Sequence, residues 1–209
     1  RTTTPAQLFA AYERDTQEAL LDMPRVFADG AVLPTGDPLA QLARPDGWNR
    51  VPVIAGTNRD ENKLFQFMNP VFVKRWFGVV PQVREPDLYL ATADAQSAMW
   101  KATGADGPAA AIWSTQPNVF VYRFDWDEEP SLLGIDLGTY LGAAHGFEIP
   151  FVFGHWDLGR QGSVIFNDAN RPGREALAEP MMSYWANFAW TGDPGRGRGG
   201  DLPAWSAWD

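Results

Sequence analysis

Residues 51–61 read Val51-Pro52-Val53-Ile54-Ala55-Gly56-Thr57-Asn58-Arg59-Asp60-Glu61. The first six are apolar, largely β-branched and end at a glycine, which predicts a short strand buried in a sheet. The polar residues that follow predict a loop, and Glu61 lies within it. Because open α/β sheets place their reacting groups at the ends of strands, Glu61 is a candidate functional residue.

A second strand and several helices are predicted along the rest of the chain. The run from Val119 to Phe124 alternates aromatic and β-branched residues and predicts the other strand. Helices are predicted from hydrophobic spacing, capping boxes and terminal glycines, over residues 5 to about 21, in two pieces over 87–115 interrupted at 104–108, and over 174–191 with a cap at Gly192. Strands that alternate with helices predict an α/β fold with a mixed central sheet covered by helices.

Turn-forming residues separate these elements. In the segment from Val26 to Pro34, Asp29-Gly30 lies between apolar residues and predicts a tight turn. Segments rich in Gly, Pro, Asn and Asp predict loops or irregular structure over 34–50, 127–144, 157–173 and 195–200.

The two predicted strands alone would leave the apolar edges of the sheet open. Such edges tend to pair with another segment, so two strands cannot form a complete sheet. The N-terminus, Arg1-Thr2-Thr3-Thr4-Pro5, resembles neither a signal peptide nor a start methionine. We therefore expect residues 1–209 to be one part of a larger domain, whose N-terminal segment completes the sheet.

Composition excludes several classes of function. The net charge of −9 makes nucleic acid a poor partner, since phosphate backbones attract basic surfaces. The sequence has no apolar run long enough for a membrane span. The absence of cysteine excludes disulfides, thiolate metal sites and cysteine nucleophiles. It suits a reducing cytoplasm and slightly favours that location, although a secreted bacterial protein can also lack cysteine.

Metal, phosphate and serine-nucleophile motifs are missing from this sequence. His145 and His155 are the two histidines, without an H-E-x-x-H motif, so we expect no metal site and no cofactor. The glycine-dense residues 195–200 lack the strand-to-helix context of a phosphate loop. No G-x-S-x-G motif surrounds any of the serines, which are Ser97, Ser114, Ser131, Ser163, Ser183 and Ser206.

Glu61 and His145 remain as candidate catalytic residues. A carboxylate that orients a histidine keeps the imidazole in the productive tautomer and stabilises the imidazolium, and histidine has a pKa suited to a general base. From the spacing alone, Glu61 could equally be a solvated loop residue and His145 a structural one.

Two strings surround these candidates: Gly56-Thr57-Asn58-Arg59-Asp60-Glu61 and Gly142-Ala143-Ala144-His145-Gly146-Phe147-Glu148-Ile149-Pro150-Phe151-Val152-Phe153-Gly154. Both resemble strings of the type-B carboxylesterase family, which includes cholinesterases and bacterial p-nitrobenzyl esterases. In that family the glutamate that closes the first string is the acid of a catalytic triad, and the histidine before glycine in the second is its base. Three further segments resemble the family in the same order: a D-G-x-x-L-P turn at 29–34, a last long helix with its exit at 185–194, and a closing L-P-x-W motif at 202–205.

The resemblance implies that this chain is the C-terminal portion of an α/β-hydrolase fold and acts in a carboxylic ester hydrolase. The family's serine elbow and oxyanion loop both lie upstream of anything in this sequence. We therefore expect Glu61 and His145 to complete a Ser-Glu-His triad with a serine from an N-terminal segment, expected as a separate chain. The substrate would be a small-molecule ester, and the isolated chain would be inactive.

Two other interpretations stay open, a non-catalytic cholinesterase-like binding module and an inert C-terminal fragment. Retention of Glu61 and His145 favours the catalytic interpretation. Whether the upstream segment carries the serine decides among the three. Glu148 is expected to make a local structural hydrogen bond and His155 to be exposed. The aromatic residues between Leu64 and Phe77 are expected to be mainly core, with a lid or a pocket wall as alternatives.

Overall fold

The computed structural model describes residues 3–9, 14–15, 20–21, 28–78 and 80–209. Its strands are β1 (Arg14–Asp15), β2 (Leu20–Leu21), β3 (Val53–Asn58), β4 (Val73–Trp76), β5 (Val80–Val83), β6 (Val119–Phe124), β7 (Ser131–Leu132) and β8 (Ile135–Asp136). Its helices are α1 (Pro5–Phe9), α2 (Pro38–Leu42), α3 (Lys63–Met68), α4 (Pro86–Lys101), α5 (Gly107–Trp113), α6 (Leu137–Tyr140), α7 (Ile149–Phe153), α8 (Gly159–Ile165) and α9 (Arg171–Thr191), with a π-helical turn at Ala102–Asp106.

The two strands predicted from the sequence, β3 and β6, form the centre of the described fold. They pair in parallel without a bulge, from Val53 opposite Val119 to Asn58 opposite Phe124. Because successive side chains of a strand point to opposite faces, each apolar strand needs cover on both sides. The helices provide that cover, which confirms the predicted α/β class.

Helix α5 covers one face of this pair and α9 covers the other. Ile112 of α5 packs with Val119 in one cluster of the core. On the opposite face, the ring of Phe120 meets Phe188 of α9 edge-on, with 6.1 Å between the ring centroids. Both strands end at the same register position, so the loops that follow them leave from one edge of the sheet. Most of β3 is only half-buried, against the prediction of a buried strand.

The remaining described strands form two-stranded antiparallel ladders, β1 with β2, β4 with β5 and β7 with β8. The ladder between Arg14–Asp15 and Leu20–Leu21 shows that the prediction of one helix to residue 21 is wrong. The capping box itself is confirmed: the N–H of Thr4 donates to Oε1 of Gln7 at 2.9 Å, and the N–H of Gln7 donates to Oγ1 of Thr4 at 3.3 Å. A capping box defines where a helix begins and carries no information on its length.

Glycine and proline misled three other predictions. Helix α8 and the start of α9 lie within 157–173, which was predicted to be irregular. The predicted interruption at 104–108 overlaps the π-helical turn at Ala102–Asp106, which joins α4 to α5 and leaves Pro108 in the first turn of α5. The predicted loop at 127–144 contains β7, β8 and α6.

Two turn predictions are confirmed. The N–H of Gly30 donates to the carbonyl of Leu33 at 2.8 Å, and Oδ1 of Asp29 accepts from the following N–H groups. Gly192 ends α9 with φ of +79°, a conformation that glycine adopts without a steric cost. Val26 and Phe27, which were included in the predicted turn region, lie outside the described residues. None of the described helices is both long and apolar enough to cross a membrane.

Candidate active site

Glu61 lies in a loop that directly follows β3, which we call the acid loop (residues 57–62). Its Oε1 accepts hydrogen bonds from the N–H of Asn58 at 2.9 Å and from Oγ1 of Thr57 at 3.3 Å. The side chain is only 7% exposed. These donors hold one carboxylate oxygen and leave the other, Oε2, for a different partner.

That partner is His145, in a second loop that we call the histidine loop (residues 142–148). Nδ1 of His145 lies 2.7 Å from Oε2 of Glu61, although the two residues are 84 positions apart. An ionised carboxylate only accepts hydrogen bonds, so Nδ1 carries the proton and Nε2 is the basic nitrogen. The histidine side chain is 47% exposed. A buried acid therefore orients a histidine that solutes can reach.

The electrostatics of this pair favour the charged histidine. The hydrogen bond that His145 donates to Glu61 raises the pKa of His145 above its usual value, while partial burial opposes the rise. The charge of Glu148 adds a smaller contribution in the same direction. An imidazole so placed accepts a proton more readily than a free histidine.

Beside Glu61 and His145, three hydrogen bonds join the acid loop to Ala143 and Ala144 of the histidine loop. The N–H of Asp60 donates to the carbonyl of Ala143 at 3.0 Å, and Oδ2 of Asp60 accepts from the N–H of Ala143 at 3.0 Å. Nδ2 of Asn58 donates to the carbonyl of Ala144 at 2.7 Å. The histidine loop is thereby attached to the acid loop on the two residues that precede His145.

Two aromatic rings lie against the imidazole of His145. The centroid of its imidazole lies 5.3 Å from that of Phe65 in α3 and 5.2 Å from that of Trp100 in α4. The rings of Phe65 and Trp100 are themselves stacked, with centroids 6.0 Å apart.

These rings also form part of a cleft of about 560 Å³ between α3 and α4. It is lined by Asn62, Phe65, Gln66, Asn69, Phe72, Thr92, Gln96, Met99, Trp100, Thr103 and Gly104. The histidine is in ring contact with two wall residues of this mixed apolar and amide-lined cleft. Part of the aromatic segment between Leu64 and Phe77 is therefore cleft wall, while Phe67 is buried in the core and Phe77 is exposed.

His155 is exposed as expected, whereas the hydrogen bond of Glu148 is not the local one that the sequence analysis expected, because its partner lies 90 positions away. Oε2 of Glu148 accepts a hydrogen bond from Nδ2 of Asn58 at 2.5 Å, which links it to the acid loop. His155 is exposed. Among the residues that the structure describes, no three His, Asp or Glu side chains lie together in a way that could hold a metal ion.

Sequence reasoning identified the acid and the histidine but missed the residues that bring them together. Asn58 and Asp60 are buried polar residues in the acid loop. At the end of that loop, the N–H of Asn62 donates a hydrogen bond to Oγ of Ser97 in α4. The available signal was the concentration of polar residues directly after a buried strand, since buried polar groups need partners. Trp100 gave no such signal, because an aromatic residue in a helix most often packs in a core.

Comparison with known proteins places these features in context. Residues 86–209 match a family model described as "Carboxylesterase family". Para-nitrobenzyl esterase of Bacillus subtilis (strain 168) is 30% identical over 157 residues, which are 69% of this chain and 30% of that protein.

Two animal proteins are similar over shorter stretches. Carboxylesterase 5A of Mus musculus is 36% identical over 89 residues, which are 43% of this chain and 15% of that protein. Acetylcholinesterase of Electrophorus electricus is 31% identical over 112 residues, which are 50% of this chain and 15% of that protein. The chain thus spans between 15% and 30% of the length of these relatives.

Proposed function

This chain belongs to the carboxylesterase family, and from that premise we propose that it supplies the Glu and His of a Ser-Glu-His triad for the hydrolysis of carboxylic esters. Family membership implies an α/β-hydrolase fold. We propose that residues 1–209 form its C-terminal part and that an N-terminal segment completes a mixed sheet next to β3 and β6. That segment carries the serine and the N–H groups that bind the oxyanion.

The contact between Nδ1 of His145 and Oε2 of Glu61, at 2.7 Å, is the observation that supports this proposal most directly. It leaves Nε2 as the base. Nε2 takes the proton of the serine hydroxyl as the serine oxygen attacks the ester carbonyl, and Glu61 stabilises the imidazolium. The imidazolium then gives its proton to the leaving alcohol, which departs and leaves an acyl-serine.

Water completes the cycle by the same route. Nε2 of His145 removes a proton from water as its oxygen attacks the acyl carbonyl, and the imidazolium returns that proton to the serine oxygen. The carboxylic acid leaves and the free serine is restored. Each half uses His145 first as base and then as acid, which a raised pKa supports.

The cleft beside His145 suits an uncharged ester with an apolar group. Phe65 and Trp100 place aromatic surface next to the imidazole, and the amides of Asn62 and Gln96 line the same space. Such a mixture of apolar walls and a few polar groups is typical of small-molecule sites. We propose that this cleft holds the acyl or the alcohol part of the substrate.

The test is labelling of the complete protein with a fluorophosphonate probe, followed by intact mass measurement under denaturing conditions and mapping of the labelled peptide. We expect one adduct on a serine outside residues 1–209. His145→Ala should prevent labelling and lower ester hydrolysis by at least about 10⁴-fold without unfolding the protein, because an unassisted serine is a weak nucleophile.

His155→Ala is the matched control, since His155 is the other histidine of this chain, is also exposed and lies outside the acid loop and the histidine loop. It should be labelled and should turn over substrate like the natural protein. A complete protein that takes no adduct and hydrolyses no ester would contradict the proposal and favour a binding module or an inert fragment. Normal turnover of His145→Ala would remove His145 from the triad.

A further inference from the structure

We propose that Asp60 is a positioning residue: it holds the histidine loop against the acid loop at the separation where Glu61 and His145 meet. This inference rests on the proposed function for its catalytic consequence. Its structural part concerns only the position of His145, which can be measured without any substrate.

Asp60 contacts the histidine loop through both its backbone and its side chain. Its N–H donates to the carbonyl of Ala143, and its Oδ2 accepts from the N–H of the same residue, each at 3.0 Å. Two bonds of opposite direction to one residue restrict both sliding and rotation of the loop. Ala143 precedes His145 by only two positions, so that restriction reaches the imidazole.

Two cations hold the Asp60 carboxylate in place. Nζ of Lys63 lies 3.0 Å from Oδ1, and Nε of Arg59 donates to Oδ2 at 2.9 Å. Asp60 is only 4% exposed and the side chain of Lys63 10%, so their ion pair lies largely out of solvent, whereas Arg59 is partly exposed. Charge-assisted hydrogen bonds are shorter and stronger than neutral ones, which makes this carboxylate a rigid anchor.

Gly142 provides the space in which Asp60 reaches the loop. It has φ of +51°, and a β-carbon added there would lie 2.4 Å from Oδ2 of Asp60. Gly146, on the other side of His145, also has a positive φ of +80°, but an added β-carbon would meet nothing closer than Cδ1 of Ile149 at 4.0 Å. Both positions have a left-handed backbone that favours glycine, and they differ in the clash with Asp60 and in a lesser approach, at 3.1 Å, to the carbonyl oxygen of Gly138.

This difference defines the experiment. We would compare Asp60→Ala, Asp60→Asn, Gly142→Ala and Gly146→Ala in the complete protein. The readouts are the pKa of His145, followed by NMR titration and assigned with His145→Gln, and the separate values of kcat and KM for a p-nitrophenyl ester.

We expect Asp60→Ala and Gly142→Ala to lower the pKa of His145 towards about 6.5, since its hydrogen bond to Glu61 is lost or lengthened. They should lower kcat by about 100-fold with KM nearly unchanged, as for other displacements of about 1 Å. Asp60→Asn keeps an acceptor for the N–H of Ala143 and should recover part of both values. Gly146→Ala should keep the raised pKa.

The double variant Asp60→Ala with Gly142→Ala tests the contact directly. Once the carboxylate is gone, the second substitution should add little to the change in the pKa of His145. Additive effects would overturn the proposal. The proposal would also be overturned if the folded Asp60→Ala protein lost thermal stability but kept the pKa of His145 as high as in the unsubstituted protein. Asp60 would then be merely structural. If Asp60→Ala does not fold, equal pKa values of His145 in Gly142→Ala and Gly146→Ala overturn the proposal instead.

These results separate the two proposals. Absence of ester hydrolysis in the unsubstituted protein contradicts the proposed function, while the titration of His145 still reports whether Asp60 positions it. Conversely, an active protein in which none of these variants moves the pKa of His145 keeps the proposed function and loses this inference.

Discussion

The phenol ring of Tyr122 lies against the α-carbon of Gly56, its neighbour in the parallel pair of β3 and β6. A β-carbon added at residue 56 would lie 2.2 Å from Cδ1 of that ring. The ring continues edge-on to Trp185 of α9, with 5.1 Å between the centroids. Gly56 thus allows an aromatic side chain to fill the layer between the sheet and α9, five residues before Glu61.

Gly56→Ala should therefore destabilise the protein. The ring of Tyr122 must move, and overpacking of this kind costs about 1–3 kcal/mol of the free energy of unfolding. Urea denaturation of the complete protein measures the loss. Gly104→Ala is the control, because an added β-carbon there meets only the edge of Trp100 at 3.5 Å. Equal denaturation midpoints for the two variants would contradict the packing argument.

Glu61→Gln should reduce kcat and move the acidic limb of the pH profile to lower pH. The hydrogen bond from His145 to the Glu61 carboxylate raises the pKa of His145, so loss of the charge lowers that pKa. A general base acts in its neutral form, and kcat/KM rises with pH through this pKa. We expect a fall in kcat of about 10³ to 10⁴-fold, together with the shifted limb.

The pH dependence of kcat/KM with a p-nitrophenyl ester tests this prediction. Glu148→Gln provides the comparison, because Glu148 raises the pKa of His145 only through a weaker charge interaction. The acidic limb of the pH profile of Glu148→Gln should move to lower pH, but by less than that of Glu61→Gln. An unchanged rate in Glu61→Gln would mean that a different carboxylate orients the histidine.

Glu129 should make the protein less stable as the pH rises. Its side chain is buried, and within the described residues neither carboxylate oxygen has a hydrogen-bond partner. Burial raises the pKa of Glu129 to about 8 in the folded protein. An unfolded glutamate ionises near pH 4.3, so the folded state holds an extra proton between these values, and stability falls from about pH 4.3 until the pH passes 8.

Glu129→Gln removes this ionisation and should flatten that part of the stability profile. Thermal melts between pH 5 and 9 measure it, and the variant should gain most at the alkaline end. Glu128→Gln changes the neighbouring exposed carboxylate and should keep the natural slope. If Glu129→Gln kept that slope as well, Glu129 would be ionised in the folded protein.

Trp100→Ala should change the choice of ester more than the chemistry itself. Trp100 forms part of the cleft wall and packs on His145, so its loss removes apolar contact from a bound substrate. We expect kcat/KM to fall about tenfold more for esters with bulky aromatic groups than for acetates. Trp113→Ala, in α5 and outside the lining of the cleft, is the control. The same loss for every ester would exclude the cleft as a selectivity site.

The sequence was sufficient to predict β3, β6, the last helix and the two residues in hydrogen-bond contact. The two strands are apolar runs with clear ends, and Glu61 follows one of them directly. His145 came from its resemblance to a family string, because nothing in its own spacing distinguishes a catalytic histidine from a structural one.

Other features depend on tertiary contacts that no local pattern contains. The ladder of β1 and β2 replaced part of a predicted helix, and α8 lies in a segment whose glycines indicated irregular structure. The role of Asp60 requires knowledge that Ala143 lies beside it, which follows from where the chain returns after β6. Trp100 became a neighbour of His145 only through the packing of α4 on the acid loop.

Along the chain, the β7–β8 hairpin lies between β6 and His145. The position of the histidine loop, however, is set by its hydrogen bonds to the acid loop. The hairpin tip is open: Leu133 is 67% exposed, and a β-carbon at Gly134 would meet nothing within 4 Å. Beyond it, the buried Leu137 and Leu141 anchor the chain again before the histidine loop begins. Insertions or deletions at the tip would change the length of the connection and leave the distance between Glu61 and His145 untouched. We therefore expect residues 133–134 to accept a peptide tag or a fluorophore, while Leu132 and Ile135, which pack against the core, keep the hairpin in place.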